Sequence, residues 1–323
     1  MSLFRVNRQE FVMSVATHPE LDSFARNNAL DGLTEPSLRA IAEGREGYSI
    51  EKARRFLDFQ ARIDAELLRH PIITDNAYTA WFEHGHKSHE QIMSFIVQFS
   101  VFSNQFLVAQ LQKTLNADTL EGMRASKEIL ANEIGVVFNA AGKSTSKCTD
   151  PERQGDPELV STEGTVDGGV FRFRAAHFEW LLRIAEKLGL SFEDIGRRMH
   201  GSDSTLFFCD ELIRLYGSED YMTSQAASYA VENWAAAGFW DQLVTGLVEY
   251  NKGLDAPLPL AFFTWHARIE GQHAQHTQEE LEELYFEREV DEDAFIETGN
   301  EMLDGVAAFW SGLDEQRRRI GSM

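Results

Sequence analysis

The sequence predicts an all-α protein, and three observations carry that expectation. Apolar residues recur at i, i+3, i+4 and i+7 in one segment after another of the 323 residues. Runs of alternating Val, Ile and Thr, the mark of strands, are few. Only seven prolines interrupt the chain, so long stretches are free of the residue that breaks a helix.

Taken in order, the periodicity places helices over 8–16, 36–44, 50–68, 87–115, 119–140, 173–189, 191–199, 204–216, 222–251, 257–286 and 291–318. A composition shift near residue 65 separates an N-terminal helical extension, 1–64, from a main bundle, 65–290. The last helix, 291–323, is expected to pack on that bundle. Residues 141–169 are polar, rich in Gly, Ser, Thr and Asp, and without apolar period, which reads as an inserted loop and a candidate lid.

The apolar types AVILMFWYC make up 43% and charged residues 25%, enough for a sizeable core and unlike a disordered chain. A net charge of −22 repels phosphate backbones and anionic lipid surfaces, which argues against nucleic-acid and membrane partners. The longest unbroken apolar runs, such as Ile92–Phe99, are far shorter than the ~20 residues of a membrane crossing. The opening MSLFRVNRQEF lacks a signal-peptide core, and two cysteines, Cys148 and Cys209, are too few for a disulfide framework, so a cytoplasmic location is expected.

Chemistry is sought where ionisable side chains interrupt apolar helix faces, because a polar group there must be paired, hydrogen-bonded or metal-bound. In PLPLAFFTWHARIEGQHAQH, His266, Glu270 and His273 stand at i, i+4 and i+7, within an arc of roughly 60° on a helix. Two imidazoles and a carboxylate converging from one face suit a cation. Three other segments carry such interruptions. Glu133 shares a face with Leu130 and Ile134, His177 with Leu181 and Ile184, and Glu232 with Tyr229 and Ala236 on a helix almost free of other charge. Three inward carboxylates and three inward imidazoles match two divalent iron-type ions in charge and donor type. No G-x-S-x-G, G-x-G-x-x-G or P-loop is present.

The order and spacing of these residues resemble the heme-oxygenase-like diiron oxidases and oxygenases: a carboxylate helix, then His, then Glu 55 residues on, then H-x-x-x-[D/E]-x-x-H 34 residues later. A His-Pro at His70-Pro71 before the segment ending in IMSFIVQFSVFSNQFLVAQL also looks like the family's entry to its first core helix. The resemblance covers about residues 65–290. It implies a heme-oxygenase-like seven-helix bundle whose metal ligands are Glu133, His177, Glu232, His266, Glu270 and His273. They would hold two Fe(II) ions, with manganese admissible at one site, and O2 as co-substrate. The implied reaction is oxidation or oxygenation of a small organic substrate, an amine, amino acid or fatty-acid-like molecule, through a peroxo-diferric species. An external electron donor and a homodimer are compatible with it. Two departures stand out: Glu270 replaces the frequent Asp, and 44 residues separate Glu133 from His177 where the family usually has about ten or fewer.

Four rival readings remain at this point. A ferritin-like diiron protein would use Glu83 with His86 beside Glu270 with His273, although Gly85 gives that segment turn character. A thiaminase-like hydrolase would need a nucleophilic cysteine. A pyrroloquinoline-quinone-synthase-like oxidase would need no metal, and an acidic helical binding protein would use these residues structurally. Arg172, Arg174 and Arg268 are the cations that could meet an anionic substrate group.

Overall fold

The computed structural model describes residues 19–139, 159–166, 169–174 and 176–322; the side chains of the strands, of 121, 125, 128 and 132, and of 269–276 are outside that description. The chain divides into two compact units. One runs to Arg62 and adds Glu279–Val290; the other comprises Ile63–Gln278 and the chain from Asp291 on.

The first unit holds α1 (Pro19–Asn28), α2 (Glu35–Ala42), most of α3 (Ile50–Glu66) and the end of α12 (Ala261–Glu287). Phe56 and Phe59 are fully buried, Tyr48 stacks on Phe286 at 4.6 Å, and Phe56 meets Tyr285 at 5.2 Å. Glu282 is buried and accepts hydrogen bonds from the Thr34 N–H (3.0 Å) and hydroxyl (2.7 Å), where Thr34 caps α2. The sequence reading assigned 279–290 to the main bundle. These residues belong here instead, because the stripe Leu281, Leu284, Tyr285 and Phe286 is buried within this unit.

The second unit contains α4 (Pro71–Thr74), α5 (Ala77–His84), α6 (His89–Leu115), α7 (Leu120–Glu133), β1 (Val136–Asn139), β2 (Leu159–Val166), β3 (Gly169–Arg174), α8 (His177–Lys187), α9 (Asp203–Glu211), α10 (Tyr221–Ala235), α11 (Phe239–Asn251), the first part of α12 and α13 (Glu292–Gly321). Caps set the starts. Ser88 and Gln91 form a reciprocal capping box at α6, and Asp220 and Asp291 accept N–H bonds at α10 and α13. The core lies along α6, where Phe99 and Phe102 meet Phe309 of α13, Phe99 also meets Trp310, and Phe95 packs against Phe99. By length and composition alone α6 is apolar enough to cross a membrane, a property the count of unbroken runs missed because Gln98, Ser100 and Ser103 interrupt it. Here it packs against α7, α8, α9 and α13, with most of its apolar window buried.

Several expected elements change. The span 222–251 is two helices, parted at Gly238, whose φ of 89° ends regular helix. The span 191–199 forms two short 3-10 turns, and 204–216 ends in a π-helical turn at Leu212–Tyr216.

The larger correction concerns 141–169. Leu159–Val166 is a strand in a three-stranded antiparallel sheet of order β1-β3-β2, with Val136 opposite Phe173 and Phe138 opposite Phe171. The expected helix 119–140 stops at Glu133, before Gly135 at φ 70°, and the expected helix 173–189 starts at His177. β-Branched and aromatic residues in VVF, LVSTEGTV and GVFRF favour this outcome once three segments can pair. Thus 141–169 is not one loop, and the lid reading, tied to that loop, loses its basis over 159–166; residues 140–158 lie outside the described residues.

Candidate metal centre

The sheet explains how Glu133 and His177 can act together. β1 begins three residues after Glu133 and β3 ends three residues before His177; their antiparallel pairing brings both ends of the insertion back to one place. There the Glu133 carboxylate bonds His177 Nδ1, with both side chains largely buried. Two further features surround the imidazole of His177. Its ring lies 4.6 Å from the ring of His266, and its Nε2 is buried with no hydrogen-bond partner among the described residues. An orphaned buried nitrogen is costly and calls for an explanation.

His266 is equally constrained. It is buried on α12, its Nδ1 lies 2.7 Å from the Phe262 carbonyl one turn earlier, and it stacks flat on Trp240 at 4.4 Å and 17°. A carbonyl can only accept, so Nδ1 carries a proton, and in the neutral ring Nε2 carries the lone pair. The same logic applies to His177, whose Nδ1 faces a carboxylate. Both imidazoles therefore present Nε2 as donor atoms, each oriented by a bond at the other nitrogen, the usual support for a metal-binding histidine.

Glu232 is buried on α10, 8% exposed, in a helix whose Ser224 and Ser228 are also buried. The structure thus brings Glu133 onto His177 and His177 beside His266, and places Glu232 on a buried helix face. Glu270 and His273 fall on the same helix as His266, but their side chains lie outside the described residues. Among the described residues, no three His, Cys, Asp or Glu side chains gather closely enough to cage a cation.

The rivals fare differently. Glu83 and His86 flank the α5–α6 junction, where His86 is exposed, and Glu83 pairs with exposed His84; this segment does not face the core as a ferritin-like site requires. Cys209 is fully buried, and burial pushes its thiol up to about 12, so it is a poor nucleophile. Cys148 lies outside the described residues. Arg268 is exposed, and the side chains of Arg172 and Arg174 are outside the described residues.

Around the histidines, Phe262, Trp265, Trp180 and Trp240 form an aromatic shell at 4.3–6.0 Å between ring centres. Trp240 does not stand out in the sequence, because a Phe-Trp pair inside the helix expected over 222–251 reads as ordinary core.

No family model and no curated protein sequence matches the chain. Eight chains of solved structures do. One is a domain of unknown function with a heme oxygenase-like fold from Shewanella denitrificans, similar at a TM-score of 0.52 and 14% identity over 83% of this chain and 94% of that one. The chain has a heme-oxygenase-like helical fold.

Proposed function

We propose that the protein is an O2-dependent non-heme diiron oxidase or oxygenase acting on a small organic substrate of the amine, amino-acid or fatty-acid type. The observation that carries this reading is the buried Nε2 of His177, without a hydrogen-bond partner among the described residues, beside the ring of His266. The residues fit the ions in donor chemistry: neutral imidazole nitrogens and carboxylates are the ligands of ferrous sites. Glu133, His177, Glu232 and His266 would hold them, completed by Glu270 and His273 from the same face of α12. Two ferrous ions would supply the electrons that activate dioxygen, and an external electron donor would restore them.

The chain's own residues perform the rest. In the neutral rings the Phe262 carbonyl keeps the proton of His266 on Nδ1, and Glu133 keeps that of His177 on Nδ1, so each lone pair sits on Nε2. The aromatic shell excludes water, which protects reactive species from side reactions. The pairing of His177 with Glu133 also suits a second reading, a metal-independent oxidase on the same bundle, because each group satisfies the other without a cation.

Anaerobic titration with ferrous ion separates the two. Uptake of about two ions per chain, with loss of at least one in His177→Ala and in His266→Ala, is the expected outcome. No uptake, or two ions retained by the doubly substituted protein, would overturn the diiron reading.

A further inference from the structure

The chain contains six tryptophans, and all six fall in one connected array of rings around the histidine pair. From His266 the array runs to Trp240 (4.4 Å), Phe239 (4.7 Å) and, through Phe239, to both Trp234 (4.8 Å) and Trp310 (5.4 Å). Trp310 meets Tyr78 (5.5 Å), and Tyr78 meets Trp81 (5.5 Å), which is half-buried under the Arg317 guanidinium. A short arm leads from the histidines to Trp265 and Trp180, both half-buried.

Two features distinguish the long arm from ordinary packing. The indole N–H groups of Trp234, Trp240 and Trp310 are all buried without a hydrogen-bond partner among the described residues, whereas buried indoles usually find one. And Trp240 meets His266 face to face at 17°, while Trp265 meets it edge-on at 86°. Face-to-face rings overlap their π-systems most. An indole that loses an electron becomes acidic at nitrogen, and without an acceptor beside it the proton stays, so the cation is not trapped as a neutral radical. The negative field of a chain at −22 favours such a cation.

We infer that this array is an electron relay that discharges the histidine site to the surface at Trp81. The inference rests on the oxidative reading of that site. When dioxygen generates a strong one-electron oxidant there and no substrate is present, Trp240 gives up one electron and the oxidant is reduced by one. The vacancy moves outward through Trp234 or Trp310 as one electron moves inward at each step, and no indole N–H proton leaves; the electron-rich Tyr78 ring bridges Trp310 and Trp81 for tunnelling and keeps its phenol proton throughout. At Trp81 an ascorbate-class reductant in solution supplies the electron and releases its own proton to water. Arg317 above Trp81 opposes a lasting positive charge there, and its pairing with Asp314 at 2.6 Å offsets that opposition.

The test has a metal-free and a metal-loaded arm. In apo-protein, a ruthenium polypyridyl photo-oxidant in solution with dissolved oxygen should give oxygenated products, read by peptide mass mapping, at Trp234 and Trp310. Tyr78→Phe, which removes one hydroxyl, should lower those products at least tenfold while the yield at Trp81 persists. Buried products absent in the wild type, or unchanged in Tyr78→Phe, would overturn the relay whatever the metal content. In ferrous-loaded protein exposed to air without substrate, oxidation should appear at Trp81, and in Trp240→Phe it should shift to Trp265 and Trp180. Oxidation at Trp81 that is unchanged in Trp240→Phe would overturn it. A protein that binds no iron but passes the photochemical arm would retain the relay and lose the diiron reading.

Discussion

On α12, His266, Glu270 and His273 share one helix face through the 3.6-residue period alone, whereas Glu133 and His177 stand 44 residues apart and meet because β1 pairs with β3. The first arrangement is local: any sequence that keeps the helix keeps the spacing. The second depends on strand register, and a slip by one residue would turn each strand's side chains to the opposite face and shift the anchored ends. Half of the candidate centre is thus written in a short motif and half in a long-range pairing.

Three comparisons can break or sharpen that contrast. The largest effect is expected from His177→Ala, which leaves the Glu133 carboxylate largely buried without its partner. Removing one member of a buried pair costs about 3–5 kcal/mol, against about 1 kcal/mol for Glu133→Gln, which can still accept a hydrogen bond. Urea unfolding of the metal-free variants measures both, and equal small losses would show that the pair contributes little to holding the ribbon's ends together.

Next in size is Phe171→Pro in β3. This strand is central, so its backbone bonds neighbours on both sides, and a proline removes one ladder donor and leaves an acceptor unpaired, at about 1–3 kcal/mol. Thr162→Pro on the edge strand β2 should cost less. If the pairing positions Glu133 and His177, Phe171→Pro should also weaken ferrous binding in titration, while leaving helix content by circular dichroism nearly unchanged. Ferrous affinity equal to wild type would mean that α7 and α8 position these residues without the sheet.

The smallest effect concerns the far end of α12, where Glu282 is held by Thr34 in the first unit. Burial, partly offset by bonds from Ser37 and Thr34, raises its carboxyl above the ordinary range. A carboxyl raised in the folded state binds its proton more tightly there than in the unfolded chain. Its favourable contribution is therefore complete below the ordinary glutamate range and is lost as pH rises through the raised value. Exchange protection of the Thr34 amide should accordingly decline with rising pH beyond the intrinsic rate increase, and Glu282→Gln should flatten that decline. A profile identical in the two proteins would assign the pH response elsewhere.

The helical class, the inward direction of His177 and the buried placement of Glu232 were legible in the sequence, because helix periodicity and apolar faces are local properties. So was the helix that carries His266, Glu270 and His273. The ribbon was not: its strands are short, interleaved with Gly, Ser and Asp, and one signal, Asp167-Gly168 between two β-type runs, was outweighed by the polar composition around it. Nor could the sequence assign Glu279–Val290 to the first unit, since α12 continues unbroken through Gln278 and only packing divides it. The stacking of Trp240 on His266 and the missing partners of three indoles likewise arise where separate helices converge. Local periodicity determines which face a residue takes; which face it meets depends on contacts between segments far apart in the chain, and those the tertiary structure alone decides.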